Sequence, residues 1–414
     1  MTASTGLESV PRPQPLGALP WPAGLLLLPR GAEALCAALV RGGEVEDWPE
    51  AVEFARLALE GEAEQAASLL AGDDLISRYN RAVLVGGDGV WSALAEDSTG
   101  ELRALVDVAR FSVGEIDEPP GVDDATGEIA ALVGSARASA AMEVGDYQRA
   151  STELAAAADA ALGAGAPVLA ASLRLTRAEL LRDQLDDPRT ANTEADRALQ
   201  QLPLEASREL RAELQVCRGL ARQQLAGTDR GALLAVVADL TEASKIFRED
   251  THPEMFATIN QHLALAYLVM PMSDQGDRIR VGVAVNSLRS ALRVFTPETH
   301  PVAWASTQLN LANALQYLPS VHQEQNLDES VQLYEEVLQY RDPSVDPLGY
   351  ARILANQGNA LGHLGVFSDA RERLTRARAM FEAGGDTEAA ASVEEVLASL
   401  AQAEAAAGRT GGSI

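Results

Sequence analysis

The sequence is poor in aromatic residues, which make up only 4% of its 414 residues. A chain of this length has room for two or three ordinary domains, or for one long solenoid. Alanine, leucine, glutamate, arginine and glutamine dominate, and β-branched runs are scarce. Because these residues lose little rotamer freedom in a helix, they favour helical structure. The composition therefore favours a solenoid with thin, closely packed Ala/Leu layers over one large globular core.

Basic residues are scarce relative to acidic ones, and Lys245 is the single lysine. The 33 basic and 60 acidic residues give a formal net charge of −27. Such a chain repels phosphate backbones and anionic membrane surfaces, so we expect neither nucleic acid nor membrane binding. The same charge favours a partner that carries a basic patch. Solubility of an Ala-rich protein is an alternative explanation of the acidity.

Cysteine is nearly absent and long hydrophobic runs are missing. Cys36 and Cys217 lie far apart in apolar helical contexts, so they are predicted to be buried thiols rather than a disulfide. The longest N-terminal apolar run, Ala23 to Leu28, is too short to span a bilayer and is bounded by prolines. We therefore expect a cytoplasmic protein.

The recognised patterns of catalysis and metal binding are also missing. No histidine takes part in an HxxxH or HExxH pair, and no cysteine lies near one. The glycine cluster at 86–89 lacks the Lys-Ser/Thr of a phosphate loop and is predicted to be a turn. No Gly-x-Ser-x-Gly elbow occurs. The sequence predicts a non-enzymatic protein without cofactor or metal, and an enzyme with an unrecognised helical site is the remote alternative.

Proline, glycine and aspartate clusters divide the chain. Residues 1–29 carry six prolines and are predicted to form a Pro-rich, extended or poorly ordered leader. Residues 30–118 show apolar-periodic segments of an irregular helical region. The segment Glu115 to Asp124, with Pro119-Pro120-Gly121, is predicted to be a linker. The N-terminal helices are predicted at Ala32–Val40, Pro49–Leu59, Ala63–Leu70, Leu75–Val85 and Leu102–Phe111. The later divisions are helical pairs at 126–205, a repeat array at 206–384, and a capping helix with a flexible tail at 385–414.

Three stretches of the C-terminal half align without gaps. They start at His252, His300 and Asp346, which lie 48 and 46 residues apart. In each, a proline suits the first position of a helix, where its missing N–H costs nothing. An aromatic residue, an alanine and a later small residue then recur at fixed positions. These are Phe256, Trp304 and Tyr350; Ala257, Ala305 and Ala351; and Ala264, Ala312 and Gly358. The recurrence predicts that the rings are core between repeats rather than a ligand box.

A second helix with a small–large–small rhythm follows each stretch. Residues four and three apart share one helical face, and small residues there let two helices pack closely. The three sets are Ala284, Leu288 and Ala291; Ser330, Tyr334 and Val337; and Ala370, Leu374 and Ala377. The pattern predicts antiparallel helix pairs, and the acidic helix at Thr387–Ala405 is predicted to cap them.

The segment ANQGNALGHLGVFSDARERLTRARAMF resembles a tetratricopeptide repeat (TPR) unit at its small residues and at its Gly365-Val366-Phe367 turn. The segment Asn310–Leu338 is similar, and the pattern from Pro301 resembles the long bacterial, kinesin-light-chain-like variant of the family. The resemblance is clearest over residues 250–380. It implies an all-α fold: a right-handed α-solenoid of antiparallel helix pairs (a TPR-like superhelix) with a less regular helical N-terminal region.

The resemblance also implies which residues contact a partner, because it places one side of each first helix on the concave face. An Asn amide offers donors and an acceptor together, so it can pair with both groups of a bound peptide unit. The candidate partner-binding residues are Asn310, Asn313, Gln316, Tyr317, Arg352, Asn356, Asn359 and His363. Pairing of these amides with neighbouring helices is the alternative. With Arg352 as the only cation there, capture of an acidic C-terminus is not expected.

The resulting hypothesis is a protein–protein interaction scaffold or adaptor that binds a peptide or protein partner on the concave face of the array. A second hypothesis is a regulatory or sensory protein in which residues 30–118 bind a ligand or partner and the array relays that state. Whether 30–118 is a separate module, and whether the chain forms a homo-oligomer, stays open.

Overall fold

A computed structural model of the chain describes residues 7, 10–43, 45–87, 89–121, 125–272, 277–318 and 322–410. These residues contain nineteen α-helices and no β-strand, which confirms the all-α fold class. Within the same ranges, no helix is both long enough and apolar enough to cross a membrane. The chain divides into two compact units, Met1–Leu225 and Ala226–Ile414.

The first unit begins with short helices and continues with longer ones. Two 3-10 turns, Ala23–Leu25 and Glu50–Val52, accompany them. The helices are α1 Glu33–Val40, α2 Glu53–Leu59, α3 Ala63–Ser68, α4 Leu75–Val85, α5 Val90–Asp97, α6 Gly100–Ser112, α7 Gly127–Glu143, α8 Tyr147–Gly163, α9 Pro167–Asp183, α10 Pro188–Gln201 and α11 Arg208–Ala226. All five predicted N-terminal helices are present. Leu75–Val85 has the predicted bounds, the other four differ at one or both ends, and α5 was not predicted.

The Pro-rich segment packs into the core of the first unit. Leu16, Leu26, Leu27 and Leu28 are fully buried there, together with residues of α4, α6 and α7. The prediction of a poorly ordered leader is therefore wrong for the described part of this segment, because its leucines provide core surface. Residues 1–6, 8 and 9 of that prediction lie outside the described residues.

The predicted linker lies between two helices that contact each other. Glu101 of α6 accepts a hydrogen bond from the backbone N–H of Thr126, next to the start of α7, at 2.9 Å. Arg12 pairs with both Glu101 and Glu128 of α7. Residues 122–124 of the linker lie outside the described residues. The domain boundaries at 118 and 126 stay predictions.

The second unit consists of helices joined in sequence. They are α12 Arg230–Ala243, α13 Pro253–Val269, α14 Asp277–Ala291, α15 Pro301–Tyr317, α16 Gln323–Tyr340, α17 Pro347–His363, α18 Phe367–Ala383 and α19 Thr387–Thr410. We call α13, α15 and α17 the A helices and α14, α16 and α18 the B helices. Each A helix starts on its predicted proline. The predicted capping helix extends to Thr410, and residues 411–414 of the tail lie outside the described residues.

Each A helix packs antiparallel to its B helix through the predicted small residues. In the α15–α16 pair, the Ser330 hydroxyl donates to the carbonyl of Ala312 at 2.8 Å. In the α17–α18 pair, a Cβ added to Gly358 would lie 2.8 Å from Cγ of Leu374, so only glycine fits without displacement. In each pair, the contacting residues lie about equally far along the sequence from the turn that joins the two helices. Such contacts occur when the helices are antiparallel. The solenoid of antiparallel helix pairs is thereby confirmed.

The recurring aromatic and histidine positions serve this packing. Trp304 and Tyr350 are buried, which confirms the core prediction for them, and Phe256 is half-buried. His252 and His300 are N-cap residues, but their side chains make no capping hydrogen bond. Their rings pack instead against Phe247 and Phe295, with ring centroids 5.2 and 5.3 Å apart. Both contacts lie within the connection that precedes an A helix, and the same packing recurs before α13 and α15.

Candidate functional site

The A helices lie side by side and present one shared face, which we call the A-helix face. Side-chain hydrogen bonds connect them. Gln261 of α13 donates to the Ser306 hydroxyl of α15 at 3.4 Å. Asn356 and Asn359 of α17 donate to Asn313 and Gln316 of α15 at 3.1 and 3.3 Å. The family resemblance implied that the two Asn pairs share one surface. The structure brings one member of each pair, Asn313 and Asn356, within hydrogen-bonding distance.

The hydroxyl of Tyr334, which projects from B helix α16, is the centre of this network. It donates to Oδ1 of Asn313 at 2.5 Å and accepts from Nε2 of Gln316 at 2.7 Å. Burial raises the pKa of the Tyr334 phenol far above its usual value, so the hydroxyl keeps its proton. One buried phenol therefore fixes the orientation of two amides on the A-helix face.

The network leaves hydrogen-bonding capacity on the face. Oδ1 of Asn313 accepts two hydrogen bonds, whereas its Nδ2 makes none among the described residues. Asn356 and Asn359 use their amide nitrogens, and their Oδ1 atoms are unpaired within the same set. Asn310 has no side-chain hydrogen bond to any described residue. The face thus offers donors from α15 and acceptors from α17, next to one another.

Three further predicted residues border these amides. Tyr317, at the C-terminal end of α15, is 73% exposed. His363 ends α17 and is exposed. Arg352 is also exposed, and its guanidinium lies 3.7 Å from a carboxylate oxygen of Asp386. All eight predicted residues thus lie on α15 or α17. Four of them, Asn313, Gln316, Asn356 and Asn359, form one hydrogen-bonded network with Tyr334.

A small apolar cleft of about 160 Å³ adjoins this face between α17 and α19. Asn359 and His363 line its polar edge, and Val396 and Leu400 of α19 line its apolar wall. Gly362 lies at the closest approach, because a Cβ there would be 2.8 Å from Leu400. The capping helix therefore contributes to the surface beside the candidate site.

Charge is distributed unevenly between the helix faces. The B helices take part in ion pairs such as Arg289–Glu329 at 2.8 Å and Arg373–Glu335 at 3.2 Å. On the A-helix face, Arg352 is the single cationic candidate residue. The face is therefore suited to neutral polar groups such as those of a peptide main chain. Across the described residues, no cluster of His, Cys, Asp or Glu could hold a metal ion.

Replacing Tyr334 with phenylalanine should loosen this network while keeping its core packing. The change leaves Gln316 and Asn313 without a shared partner, and a lost hydrogen bond at a partly buried site costs about 0.5–1.5 kcal/mol. We expect a fall of about 1–2 kcal/mol in the free energy of unfolding, because two bonds are lost. Urea denaturation of the variant and the wild type measures this difference.

The matched control is Tyr340→Phe, which removes an exposed phenol from the same helix. Its ring contacts Trp304 with centroids 4.9 Å apart, and that contact is kept. An equal loss in both variants would mean that the Tyr334 hydroxyl contributes nothing specific.

Sequence reasoning assigned Tyr334 only to the core, as the large residue of its rhythm. The hydroxyl at a position that holds leucine in the neighbouring repeats, Leu288 and Leu374, was the signal for a polar partner on the A helix. The two cysteines were assigned correctly as buried thiols, and burial raises the pKa of both Cys36 and Cys217 to about 12.

Comparison with known proteins gives one structural neighbour to report. The sequence matches no family model and no curated protein. Among solved structures, the chain is similar to the TPR domain of P58(IPK), whose crystal structure was determined at 2.5 Å. The two share 16% sequence identity over 85% of this chain and 96% of that chain, with a TM-score of 0.29.

Proposed function

We propose that this chain is a protein–protein interaction scaffold, and that the A-helix face of its second unit binds an extended segment of a partner. The observation that carries the proposal is a row of four amides on α15 and α17 that retain unused hydrogen-bonding groups among the described residues. Within the part of the chain that the structure describes, the amide N–H groups of Asn310 and Asn313 and the Oδ1 atoms of Asn356 and Asn359 have no partner, so they supply donors and acceptors respectively. A peptide main chain needs both kinds of group along its length.

The fixed orientation of Asn313 and Gln316 supports a role in binding, because a merely solvent-exposed amide would not need to be held in place. Because Tyr334 and the cross-helix bonds fix Asn313 and Gln316, little side-chain entropy is lost when a ligand binds. Each hydrogen bond to the ligand then contributes about 0.5–1.5 kcal/mol, and about 1.4 kcal/mol changes an affinity tenfold. Four amides together suffice for micromolar binding when apolar contacts add to them.

The side chains of the A-helix face indicate which kind of peptide segment it binds. Arg352 alone cannot provide the cationic clamp that a terminal carboxylate requires, so an internal segment fits better. Tyr317 and the apolar wall of α19 would contact the partner's side chains, and the main-chain bonds would hold its backbone. We infer that this is an adaptor role, in which the chain holds a partner without transforming it.

The partner can be captured through Tyr317. A photo-crosslinking amino acid at this position should form a covalent product with the partner in cells, which mass spectrometry identifies. The same amino acid at Tyr340 is the matched control, because that tyrosine is 61% exposed on B helix α16. Equal yields of the same product from both positions would contradict binding on the A-helix face.

Once the partner is identified, the double change Asn310→Ala and Asn356→Ala should weaken its binding about tenfold, since roughly two hydrogen bonds are lost. Neither residue is buried, so the fold should tolerate the change. Isothermal titration calorimetry with the full chain measures the affinity.

The matched control for this pair is Gln332→Ala with Gln339→Ala, two exposed amides on B helix α16. We expect this variant to bind like the wild type. If the Asn pair has no effect, or if the Gln pair has the same effect, the partner does not bind where we propose.

A further inference from the structure

The first unit contains a solvent-open cleft of about 630 Å³, which is within the size range of ligand sites in proteins. Its walls come from the Pro-rich segment, α6, the chain that follows α6, and α7. Leu25, Phe111, Ile116 and Leu132 give it an apolar floor. The cleft belongs to the first unit alone and is therefore separate from the A-helix face.

Every charged side chain that lines the cleft is acidic. They are Asp117 and Glu143, both exposed, and neither has an ion pair or side-chain hydrogen bond among the described residues. Nearby Glu115 differs, because Arg110 lies 3.3 Å from its carboxylate. Two uncompensated carboxylates beside an apolar floor attract a cationic ligand rather than an anionic one.

The hydroxyls in the cleft reinforce this preference. The Ser112 hydroxyl donates to the Val108 carbonyl at 2.8 Å, and the Ser139 hydroxyl donates to the Ser135 carbonyl at 3.2 Å. Because each hydroxyl has one hydrogen, both present only acceptor lone pairs to a ligand. The cleft is thus rich in acceptors, which matches a ligand with several N–H donors.

Trp21 stands at the edge of the cleft with 59% of its surface exposed. An exposed indole beside carboxylates can stack on a guanidinium, and Trp is enriched among residues that dominate protein interfaces. A guanidinium also provides five donors in a fixed plane, which suits two carboxylates and two hydroxyl acceptors.

We propose that this cleft binds a short peptide segment of a partner protein in which arginine alternates with apolar side chains. The apolar floor accepts the aliphatic or aromatic side chains, and Asp117, Glu143 and Trp21 hold the arginines. A peptide fits better than a small organic cation, because the cleft is open and is lined by both apolar and acidic side chains. This is a second binding site, beyond the one in the proposed function.

The test uses the full chain and a set of fluorescein-labelled pentapeptides, acetylated and amidated, that combine two arginines with leucine or phenylalanine. Fluorescence anisotropy should show saturable binding of at least one member. The double variant Asp117→Asn and Glu143→Gln should weaken that binding about tenfold or more, since charge-assisted hydrogen bonds are lost. Trp21→Ala should also weaken it, and citrulline in place of arginine should abolish it.

The matched control is Glu62→Gln with Glu64→Gln, which removes two exposed carboxylates from the first unit outside the cleft. It should leave the affinity unchanged. Equal weakening by the control pair would mean general attraction to an acidic surface and would overturn the proposal. So would the absence of saturable binding across the set, or equal affinity for arginine amide alone, which would mean a small-cation site.

Discussion

Replacement of Glu194 with alanine is expected to lower the free energy of unfolding of the first unit by about 3–5 kcal/mol. Glu194 of α10 is 2% exposed and forms ion pairs with three arginines. Its carboxylate lies 2.7 Å from Arg174, 2.9 Å from Arg177 and 3.3 Å from Arg197. Arg174 of α9 is itself only 5% exposed. The cost is large because a buried guanidinium loses its buried counter-charge.

The matched control is Asp159→Ala, which removes the other carboxylate that Arg174 contacts. Asp159 lies 2.7 Å from Arg174, but its side chain is 73% exposed. An exposed partner is screened by water and contributes about 0–1 kcal/mol. Urea denaturation of the full chain, with hydrogen exchange followed in peptides from α9 and α10, separates the two cases. Similar losses in both variants would contradict the special role of Glu194.

Repetition explains why so much of the second unit could be predicted. Ala312 and Ser330 were assigned to one helix contact because the same small residues recur at the same spacing in neighbouring units. The structure has them joined by a hydrogen bond of 2.8 Å. A contact that recurs in every repeat can be predicted from a single sequence, because the same residue pattern occurs in each repeat. The placement of Asn313 and Asn359 on one face came from the resemblance to the TPR family.

Contacts that occur once were not predictable. The segment from Leu26 to Leu28 shows no period, and the prolines on both sides of it indicated an extended chain. Its hydrogen-bonding partner, Asn80, lies 53 residues away from Leu27. The acidic cleft likewise combines Trp21 with residues of α6 and α7, which no local pattern connects. Helix α5 is only eight residues long and follows a glycine cluster, and its buried residues Trp91, Leu94 and Ala95 were not recognised as a helical pattern.

Asn80→Ala is the second change with a large expected effect, a loss of about 2–5 kcal/mol in the free energy of unfolding. Asn80 of α4 is 2% exposed. Its Oδ1 accepts from the backbone N–H of Leu27, and its Nδ2 donates to the Leu27 carbonyl, both at 2.8 Å. Each buried backbone group left without a partner costs about 1–3 kcal/mol. Chemical denaturation of the full chain measures the loss.

Asn192→Ala is the matched control, because Asn192 is half-buried and accepts from Arg222 at 3.1 Å. We expect it to cost less than about 1 kcal/mol, as for a single partly exposed hydrogen bond. A loss for Asn80→Ala no larger than this would mean that Leu27 is held mainly by its apolar contacts.

The consequence of Asn80→Ala for binding follows from what Leu27 holds in place. The same segment carries Trp21 and Leu25, which line the acidic cleft. Under conditions where the variant is still folded, release of Leu27 should weaken binding of the arginine peptide. Binding of a partner at the A-helix face should be unchanged, since that face is built from α15 and α17. If the variant binds the arginine peptide normally but binds the partner of the A-helix face more weakly, the segment that contains Leu27 does not support the acidic cleft.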